Sequence, residues 1–205
     1  MIARANNYPI QTEKTLWSSM INTIDNYSSN SNNIDIGSLK DSLMQEPRMN
    51  CIENIDLYAS INEVINLTKN HSHLENIEVS VNIEQRSPFY TDKYRLTLIL
   101  CHVIENSILF QDLRKHENFI DLNVTVKNNE LVIDLLDNGI GMSKAIQKDI
   151  FKMFFKGSKL SIGFGIGLYV VKQCLYQLSG TINIDSAAGV GTHCIVKIPN
   201  SFKIA

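Results

Sequence analysis

The fold of this chain is decided by two glycine-rich segments, Asp137-Asn138-Gly139-Ile140-Gly141 and Gly163-Phe164-Gly165-Ile166-Gly167-Leu168. The first follows an apolar predicted strand, and the second opens a predicted helix further along the chain. Glycine lets a backbone approach a ligand closely and adopt a positive φ, and the amides at a helix N-terminus face phosphate charge favourably. A carboxylate ahead of one glycine turn, followed by a glycine turn at a helix start, therefore suits a purine base that carries a polyphosphate.

The carboxylate of Asp137 has two interpretations. An aspartate before Asn-Gly is common in turns, where its side chain accepts a hydrogen bond from its own backbone. In the functional interpretation, Asp137 accepts a hydrogen bond from the exocyclic amino group of adenine and repels the carbonyl that guanine carries there. Both interpretations stay open from the sequence.

A third element lies upstream, in the helix predicted over Asp92–Phe110, which the side chain of Asp92 can cap. Ile99, Val103 and Asn106 recur at helical spacing, so the Asn106 amide lies on the apolar face of that helix, one turn after His102. Burying an amide without partners costs about 1–3 kcal/mol. Asn106 therefore needs either a hydrogen bond inside the protein or a ligand, and its carbonyl oxygen suits Mg²⁺.

The chain divides into a polar N-terminal part and a compact unit. A helix is predicted over residues 12–27, followed by a polar run and a short helical segment, Ile36–Gln45, that stops near Pro47. From about Cys51 onwards, strands and helices alternate. Predicted strands are Ile52–Leu57, Ile77–Ile83 (half-buried), Ile120–Val126, Leu131–Leu136, Thr181–Asp185 and Thr192–Ile198; predicted helices are Ala59–Asn70, Asp92–Phe110 and Gly165–Leu178.

This order predicts an α/β two-layer sandwich, in which a mixed sheet carries its helices on one face. The turn Lys127–Glu130 between two of the strands predicts a hairpin.

Composition narrows the class of protein. The chain has 205 residues, 44% of them hydrophobic, which is enough for one medium domain and an extension. Its net charge of -2 does not indicate a nucleic-acid or membrane-surface binder. The four cysteines form no CxxC pair and read as reduced, buried thiols. With no signal peptide and no apolar run near the roughly 18 residues that span a bilayer, we expect a soluble, cytoplasmic chain.

Taken together, these segments resemble the ATP-binding domain of sensor histidine kinases, within the ATPase class shared with chaperone, gyrase and mismatch-repair ATPases. The resemblance covers Cys51 to Pro199. The matching motifs are the asparagine box His102–Ser107, the first glycine box Asp137–Gly141, the phenylalanine box Ile150–Gly157, the second glycine box Gly163–Leu168 and the third glycine box Gly189–Thr192.

The resemblance implies a Bergerat-type ATP-binding fold over residues 51–205, with ATP and Mg²⁺ as cofactors. Residues 1–50 would be the remnant of a dimerisation helix plus a linker. Such a domain donates the γ-phosphate of ATP to a histidine on its own dimerisation domain, from which a response-regulator receiver domain takes it. The resemblance implies no contact with nucleic acid or with a membrane by this chain, whether or not the longer protein is membrane-anchored.

Nucleotide contacts follow from the resemblance, and none of them is a general base. Asn106 would hold Mg²⁺, Asp137 would recognise adenine, and Thr192 would join a water-mediated base contact. Residues 142–162 would form a mobile lid anchored by Phe151 and Phe154. The implied contact residues are His102, Asn106, Asp137, Gly139, Gly141, Lys156, Gly163, Gly165, Gly167, Leu168 and Thr192.

Two of these positions, His102 and Lys156, leave room for a second interpretation, and Leu109 is a departure from the family pattern. The family often has asparagine where His102 stands and a basic residue where Leu109 stands. Leu109 removes a phosphate contact, whereas His102 either donates a hydrogen bond to phosphate or is a packed core histidine. Lys156 either reaches the terminal phosphate or is a solvated lysine of the lid.

The phosphoacceptor is the missing part. His116-Glu117 has the residue pair of an acceptor box, but it falls inside the ATP-binding unit, and residues 12–31 contain no histidine. We therefore expect a catalytic fragment of a longer kinase. The alternatives are a stand-alone anti-sigma-type serine kinase and a degenerate docking domain that binds no nucleotide.

Overall fold

The computed structural model describes residues 52–69, 77–158 and 165–201. All of them belong to the second of the two units into which the chain divides, Asn50–Ala205. The helices predicted over residues 12–27 and 36–45 lie outside the described residues, as do Gly163 and the end of the predicted lid.

Eleven elements follow one another in the described residues. In chain order they are β1 (Ile52–Asn54), α1 (Leu57–Lys69), β2 (Ile77–Gln85), β3 (Tyr90–Asp92), α2 (Lys93–Leu109), β4 (Asn118–Lys127), β5 (Glu130–Asp137), α3 (Lys144–Gln147), α4 (Gly167–Gln177), β6 (Thr181–Ala187) and β7 (Gly191–Pro199).

The main sheet has five strands in the order β2-β4-β5-β7-β6. The β2 strand runs parallel to β4, and the other neighbours are antiparallel, so the sheet is mixed as predicted. The register places Asp137 at the end of β5 directly opposite Thr192 near the start of β7. The sheet thus brings the first and third glycine boxes together at one edge.

One face of the sheet builds the core. Along β4, Ile120, Leu122 and Val124 are fully buried and alternate with more exposed residues such as Asp121 and Asn123. The helices α1, α2 and α4 supply the other half of the core with Ile61, Val64, Leu96, Ile99, Val171 and Leu175. The two-layer sandwich with helices on one face is therefore confirmed.

Several local predictions are also confirmed. Asp92 caps α2, and its side chain accepts a hydrogen bond from the backbone N–H of Arg95 at 2.9 Å. The hairpin between β4 and β5 turns through Asn128 and Asn129, both at positive φ (53° and 61°). Asparagine tolerates this backbone region better than most residues, so the hairpin forms where the sequence predicts it.

The predicted strand Ile52–Leu57 is wrong beyond Asn54. The carboxylate of Asp56 accepts a hydrogen bond from the N–H of Ala59 at 3.0 Å and begins α1 early, with Leu57 buried in the helix. The half-buried character predicted for Ile77–Ile83 is also wrong at its centre. There β2 forms the edge of the sheet, and Val79 and Val81 are exposed.

Two short elements have no counterpart among the predictions. The three-residue strand β3 pairs with β1, and the four-residue helix α3 is capped by Ser143. The helix α4 begins at Gly167, two residues later than the predicted Gly165. Elements this short carry too few residues for a periodic pattern.

The described cysteines match the expectation of buried thiols. Cys101, Cys174 and Cys194 all lie in the core. Burial raises the pKa of Cys174 to about 11 and that of Cys194 to about 12, so both thiols stay protonated at neutral pH.

Candidate nucleotide site

The carboxylate of Asp137 lies at the end of β5 and is only 7% exposed. Its Oδ1 accepts a hydrogen bond from the N–H of Gly139 at 2.9 Å, which is the turn contact that the sequence left open. Burial raises the pKa of Asp137, although the Gly139 N–H, the Ser107 hydroxyl, the Thr192 N–H and the charge of Lys115 all oppose that rise.

The raised pKa has a consequence for stability. When the folded-state pKa lies above the unfolded value, the ionised carboxylate destabilises the fold, and this cost grows as the pH rises from the ordinary value towards the folded one. At neutral pH a buried Asp137 therefore works against folding. Such a residue in a cleft is a candidate for a functional role.

The glycines of the first and third boxes pack against each other's backbone. A Cβ at Gly139 would lie 2.3 Å from the carbonyl oxygen of Phe110, at the end of α2. A Cβ at Gly141 would lie 2.0 Å from the carbonyl oxygen of Ala187, and one at Gly191 would lie 2.0 Å from that of Asp137. No other residue type fits these three positions without moving backbone.

Hydrogen bonds hold the same segments together. The N–H of Ile140 donates to Phe110 O at 2.8 Å, and the N–H of Gly189 donates to Ile140 O at 2.7 Å. The hydroxyl of Ser186 accepts from the N–H of Met142 at 2.9 Å, donates to Gly191 O at 2.8 Å and lies 3.0 Å from the Thr192 hydroxyl. The end of α2, the turn after β5 and the β6–β7 turn therefore form one assembly around Asp137.

Asn106 lies next to this assembly, on the last turns of α2. Its side chain is half-buried and, among the described residues, its amide has no hydrogen-bond partner. The internal hydrogen bond that the sequence left open is therefore absent from the described part of the chain. Its neighbour Ser107 hydrogen-bonds to the Asp137 carboxylate, so this turn of α2 lies against Asp137.

His102 occupies the junction between α2 and α4. It is 8% exposed, and its Nδ1 lies 3.8 Å from the carboxylate of Glu105. A Cβ at Gly167 would lie 3.2 Å from the same Nδ1, so the first residue of α4 packs on the imidazole ring. His102 is thus a buried packing residue at the N-terminus of α4. Leu168 follows on α4 and is half-buried, as is Leu109 at the end of α2.

The described part of the predicted lid is tied to the core at its start. The side-chain amide of Gln147 donates to Met142 O at 3.0 Å and to Ser186 O at 2.6 Å. Further along, the Lys172 ammonium of α4 lies 5.4 Å from the centre of the Phe151 ring, a cation–π contact. These contacts connect the lid to β6 and to α4.

A backbone turn follows in the phenylalanine box. Phe154 has φ 64°, and a Cβ at Gly165 would lie 2.5 Å from Phe155 O, so Gly165 closes against this turn. Lys156 is exposed and has no ion-pair partner within the described residues. Gly163 lies outside them.

The predicted contact residues fall into two neighbouring groups. Asp137, Gly139, Gly141 and Thr192 gather at the end of the sheet, and His102, Gly165, Gly167 and Leu168 gather around the start of α4. The helix α2 belongs to both groups, with Asn106 between them in sequence. The sequence did not single out three further contributors. The Ser107 hydroxyl hydrogen-bonds to the Asp137 carboxylate, and the side chains of Ser186 and Lys115 hydrogen-bond to backbone groups of neighbouring segments.

The donor set fits a metal held by nucleotide and water together with one protein oxygen. In the described part of the chain, no group of three or more His, Cys, Asp or Glu side chains could hold a metal ion. A free amide oxygen is a ligand that Mg²⁺ accepts while it keeps phosphates and waters at its other positions. The amide of Asn106 is such a group.

Comparison with known proteins places these features in a family. The model of the "Histidine kinase-, DNA gyrase B-, and HSP90-like ATPase" family matches residues 91–201. The sensor protein RprX of Bacteroides fragilis is 30% identical over 155 residues, which are 72% of this chain and 29% of that protein. A probable C4-dicarboxylate sensor kinase of Bacillus subtilis is 31% identical over 127 residues, 59% of this chain and 24% of that protein.

Solved structures share the fold. The mycobacterial sensor histidine kinase MprB superposes with a TM-score of 0.60 at 19% identity, over 72% of this chain and 97% of that one. Full-length ShkA, solved in complex with AMPPNP, superposes with a TM-score of 0.67 at 17% identity, over 98% of this chain and 41% of that one.

The matched region is a part of larger proteins. The chain spans 29% and 24% of the lengths of the two curated relatives named above. Within its described residues, no helix combines the length and apolar character needed to cross a membrane. The family match covers more than half of the chain and all the boxes described above. The chain therefore belongs to the histidine kinase-, DNA gyrase B- and HSP90-like ATPases, and it carries the ATP-binding catalytic domain of the sensor histidine kinase type.

Proposed function

We propose that this chain binds Mg·ATP and donates the γ-phosphate to a histidine on a dimerisation domain, for transfer to a response-regulator receiver domain. The observation that carries the proposal is the half-buried amide of Asn106, which has no partner among the described residues and precedes Ser107, a hydrogen-bond partner of the buried Asp137 carboxylate. The Asn106 amide oxygen would serve as a metal ligand, and the Asp137 carboxylate would accept a hydrogen bond from the base. The reaction would take place in the cytoplasm, whether or not the longer protein is anchored in a membrane.

Adenine would lie at the end of the sheet. The Asp137 oxygen that does not bind the Gly139 N–H would accept a hydrogen bond from the exocyclic amino group, and Thr192 would join through a water. The backbone contacts of Gly139 and Gly141 hold the turn that orients the carboxylate. When nucleotide binds, this hydrogen bond would offset the cost of burying the ionised Asp137 carboxylate.

The phosphates would lie between α2 and the start of α4. Asn106 would hold Mg²⁺, which when bound would neutralise phosphate charge and assist transfer. The N-terminus of α4, which begins with Gly167 and Leu168, would face the phosphates with free amides. Gly163 and Gly165, which precede it in the sequence, would let the backbone come close to the phosphates. Lys156 would approach the terminal phosphate. The His102 ring would pack against Gly167 and hold the start of α4 in place.

The division of the chain follows from the same proposal. Residues 51–205 would be the catalytic domain, and residues 1–50 the remnant of a dimerisation helix with its linker. The acceptor histidine would come from a dimerisation domain, because His116, the one histidine in an acceptor-like pair, lies in the loop between α2 and β4 of the ATP-binding unit.

Phosphotransfer is the direct test. With radioactive ATP, this chain alone should bind nucleotide without labelling itself, because transfer requires an acceptor nitrogen held near the γ-phosphate. A chimera that places residues 51–205 after the dimerisation helices of a sensor histidine kinase should acquire acid-labile label on its acceptor histidine, and the same chimera with Asn106→Ala should not.

Other labelling patterns would contradict this function. Acid-labile phosphate on the chain alone, mapped to His71, His73 or His116, would show that the acceptor lies within it. Acid-stable phosphoserine on a partner would favour the anti-sigma-type kinase. Absence of ATP binding by the unmodified chain would favour the degenerate docking domain.

Asp137→Asn should remove the preference for adenine over guanine. The amide keeps the size of the side chain but places a donor towards the adenine amino group, so discrimination should fall by about 1–3 kcal/mol. Competition binding of ATP and GTP to both proteins measures this difference. The matched control is Asp134→Asn, which removes a carboxylate that is 43% exposed and lies 2.9 Å from His193. Equal binding of ATP and GTP by the unmodified chain would contradict the assignment of Asp137 as the group that recognises adenine.

A further inference from the structure

Lys115 bridges the two turns that flank Asp137. It lies in the loop between α2 and β4 and is half-buried. Its ammonium donates hydrogen bonds to three backbone carbonyls: Asn138 O at 2.5 Å, Gly139 O at 3.4 Å and Val190 O at 2.9 Å.

The three acceptors belong to opposite sides of the proposed adenine pocket. Asn138 and Gly139 directly follow Asp137, whereas Val190 lies in the β6–β7 turn just before Gly191 and Thr192. An ammonium group can donate three hydrogen bonds and cannot accept any. Lys115 therefore uses all three of its donors on these carbonyls. The positive charge sits where the negative ends of three carbonyl dipoles converge.

We propose that Lys115 is a positioning residue for adenine recognition, which holds the turn after Asp137 and the β6–β7 turn at the spacing that the base requires. The inference rests on the proposed function, because it needs Asp137 and Thr192 to face a nucleotide. Lys115 itself contacts no base in this arrangement. It acts through the backbone of the residues that do.

The electrostatics of the site agree with this role. The charge of Lys115 is among the interactions that oppose the raised pKa of Asp137, so it favours the ionised acceptor. It therefore acts on both the position and the charge of the carboxylate. A side chain with neither charge nor donors would supply neither.

Other contacts keep the turns folded when Lys115 is changed. The bond from Gly189 N–H to Ile140 O and the contacts of Ser186 remain, as does the packing of Gly141 on Ala187. Loss of Lys115 should therefore loosen the spacing of the pocket while the sheet and core persist. The effect belongs to nucleotide selectivity more than to folding.

Lys115→Met is the decisive variant, since it keeps a long side chain without charge or donors. We expect about tenfold weaker binding of ATP, on the scale of one lost charge-assisted hydrogen bond. We also expect a smaller ratio of ATP to GTP affinity, because the loosened pocket no longer presents Asp137 accurately to the amino group. Lys115→Arg, which restores charge and donors, should recover much of both.

Lys127→Met is the matched control, because Lys127 is exposed at the far end of β4. It should bind both nucleotides like the unmodified chain, and circular dichroism should show that every variant is folded. Unchanged ATP affinity and unchanged selectivity in folded Lys115→Met would overturn the inference. So would an equal fall in ATP and GTP affinity that Lys115→Arg does not recover, since this indicates general loosening. Failure of the unmodified chain to bind ATP would instead overturn the proposed function.

Discussion

Asn106→Ala is expected to abolish most of the magnesium-dependent part of ATP binding. At a free ligand concentration about 100 times the Kd, binding stabilises the folded state by roughly 2.7 kcal/mol, or about 5–10 °C in Tm for a domain of this size. The unmodified chain should show a larger shift with ATP and Mg²⁺ than with ATP and a chelator. In Asn106→Ala the two shifts should become nearly equal, because the half-buried amide oxygen is the proposed protein ligand.

Asn183→Ala provides the control, because it removes an exposed asparagine from β6, an edge strand of the sheet. It should retain the magnesium-dependent shift in full. If the unmodified chain binds ATP equally well with and without the metal, Asn106 has another role. A loss of stability in Asn106→Ala without nucleotide would point to a structural role, which its lack of partners among the described residues does not predict.

Gly141→Ala is expected to be the most destabilising of the substitutions considered. Its φ is +58°, and the added Cβ would lie 2.0 Å from the carbonyl oxygen of Ala187, so strain and a backbone clash act together. We expect about 3–4 kcal/mol of lost stability, with loss of ATP binding because the turn after Asp137 moves. Urea denaturation and nucleotide binding measure the two effects.

Gly189→Ala separates strain from the clash. Gly189 also has a positive φ, +78°, but a Cβ there meets nothing within 4 Å. Gly189→Ala should therefore lose only the stability that backbone strain costs, about 1–2 kcal/mol. The variant should still bind ATP. Equal destabilisation by the two substitutions would show that the contact between Gly141 and Ala187 does not constrain the site.

The fold could be predicted where one residue type carries a local reason. Asp92 caps α2 because its side chain reaches a nearby N–H, and Asn128 and Asn129 accept the positive φ of the hairpin. The strands β4 and β5 alternate because one face is buried. The exposed centre of β2 could not be predicted, since its apolar alternation is the same as that of a covered strand and only the sheet order makes it an edge.

The site could be predicted in part for the same reason. Asp137 and the glycines stand close together in short motifs, so the sequence alone predicts that they share a site. The acceptors of Lys115 are backbone carbonyls 23, 24 and 75 residues away along the chain. Every residue type has a carbonyl, so no pattern marks these three. Such contacts follow only from the folded backbone.

The glycines of these boxes let the backbone come close to a ligand, and the backbone geometry gives them a second role. At Gly139, Gly141 and Gly191 a backbone carbonyl lies so close that only the hydrogen atom of glycine fits in place of a Cβ. These glycines therefore stabilise the fold, whatever the domain binds. A relative that had lost ATP during evolution would retain these glycines and keep the appearance of an active enzyme. Activity in such sequences is better judged at Asn106 and Asp137, whose side chains would contact the metal and the base.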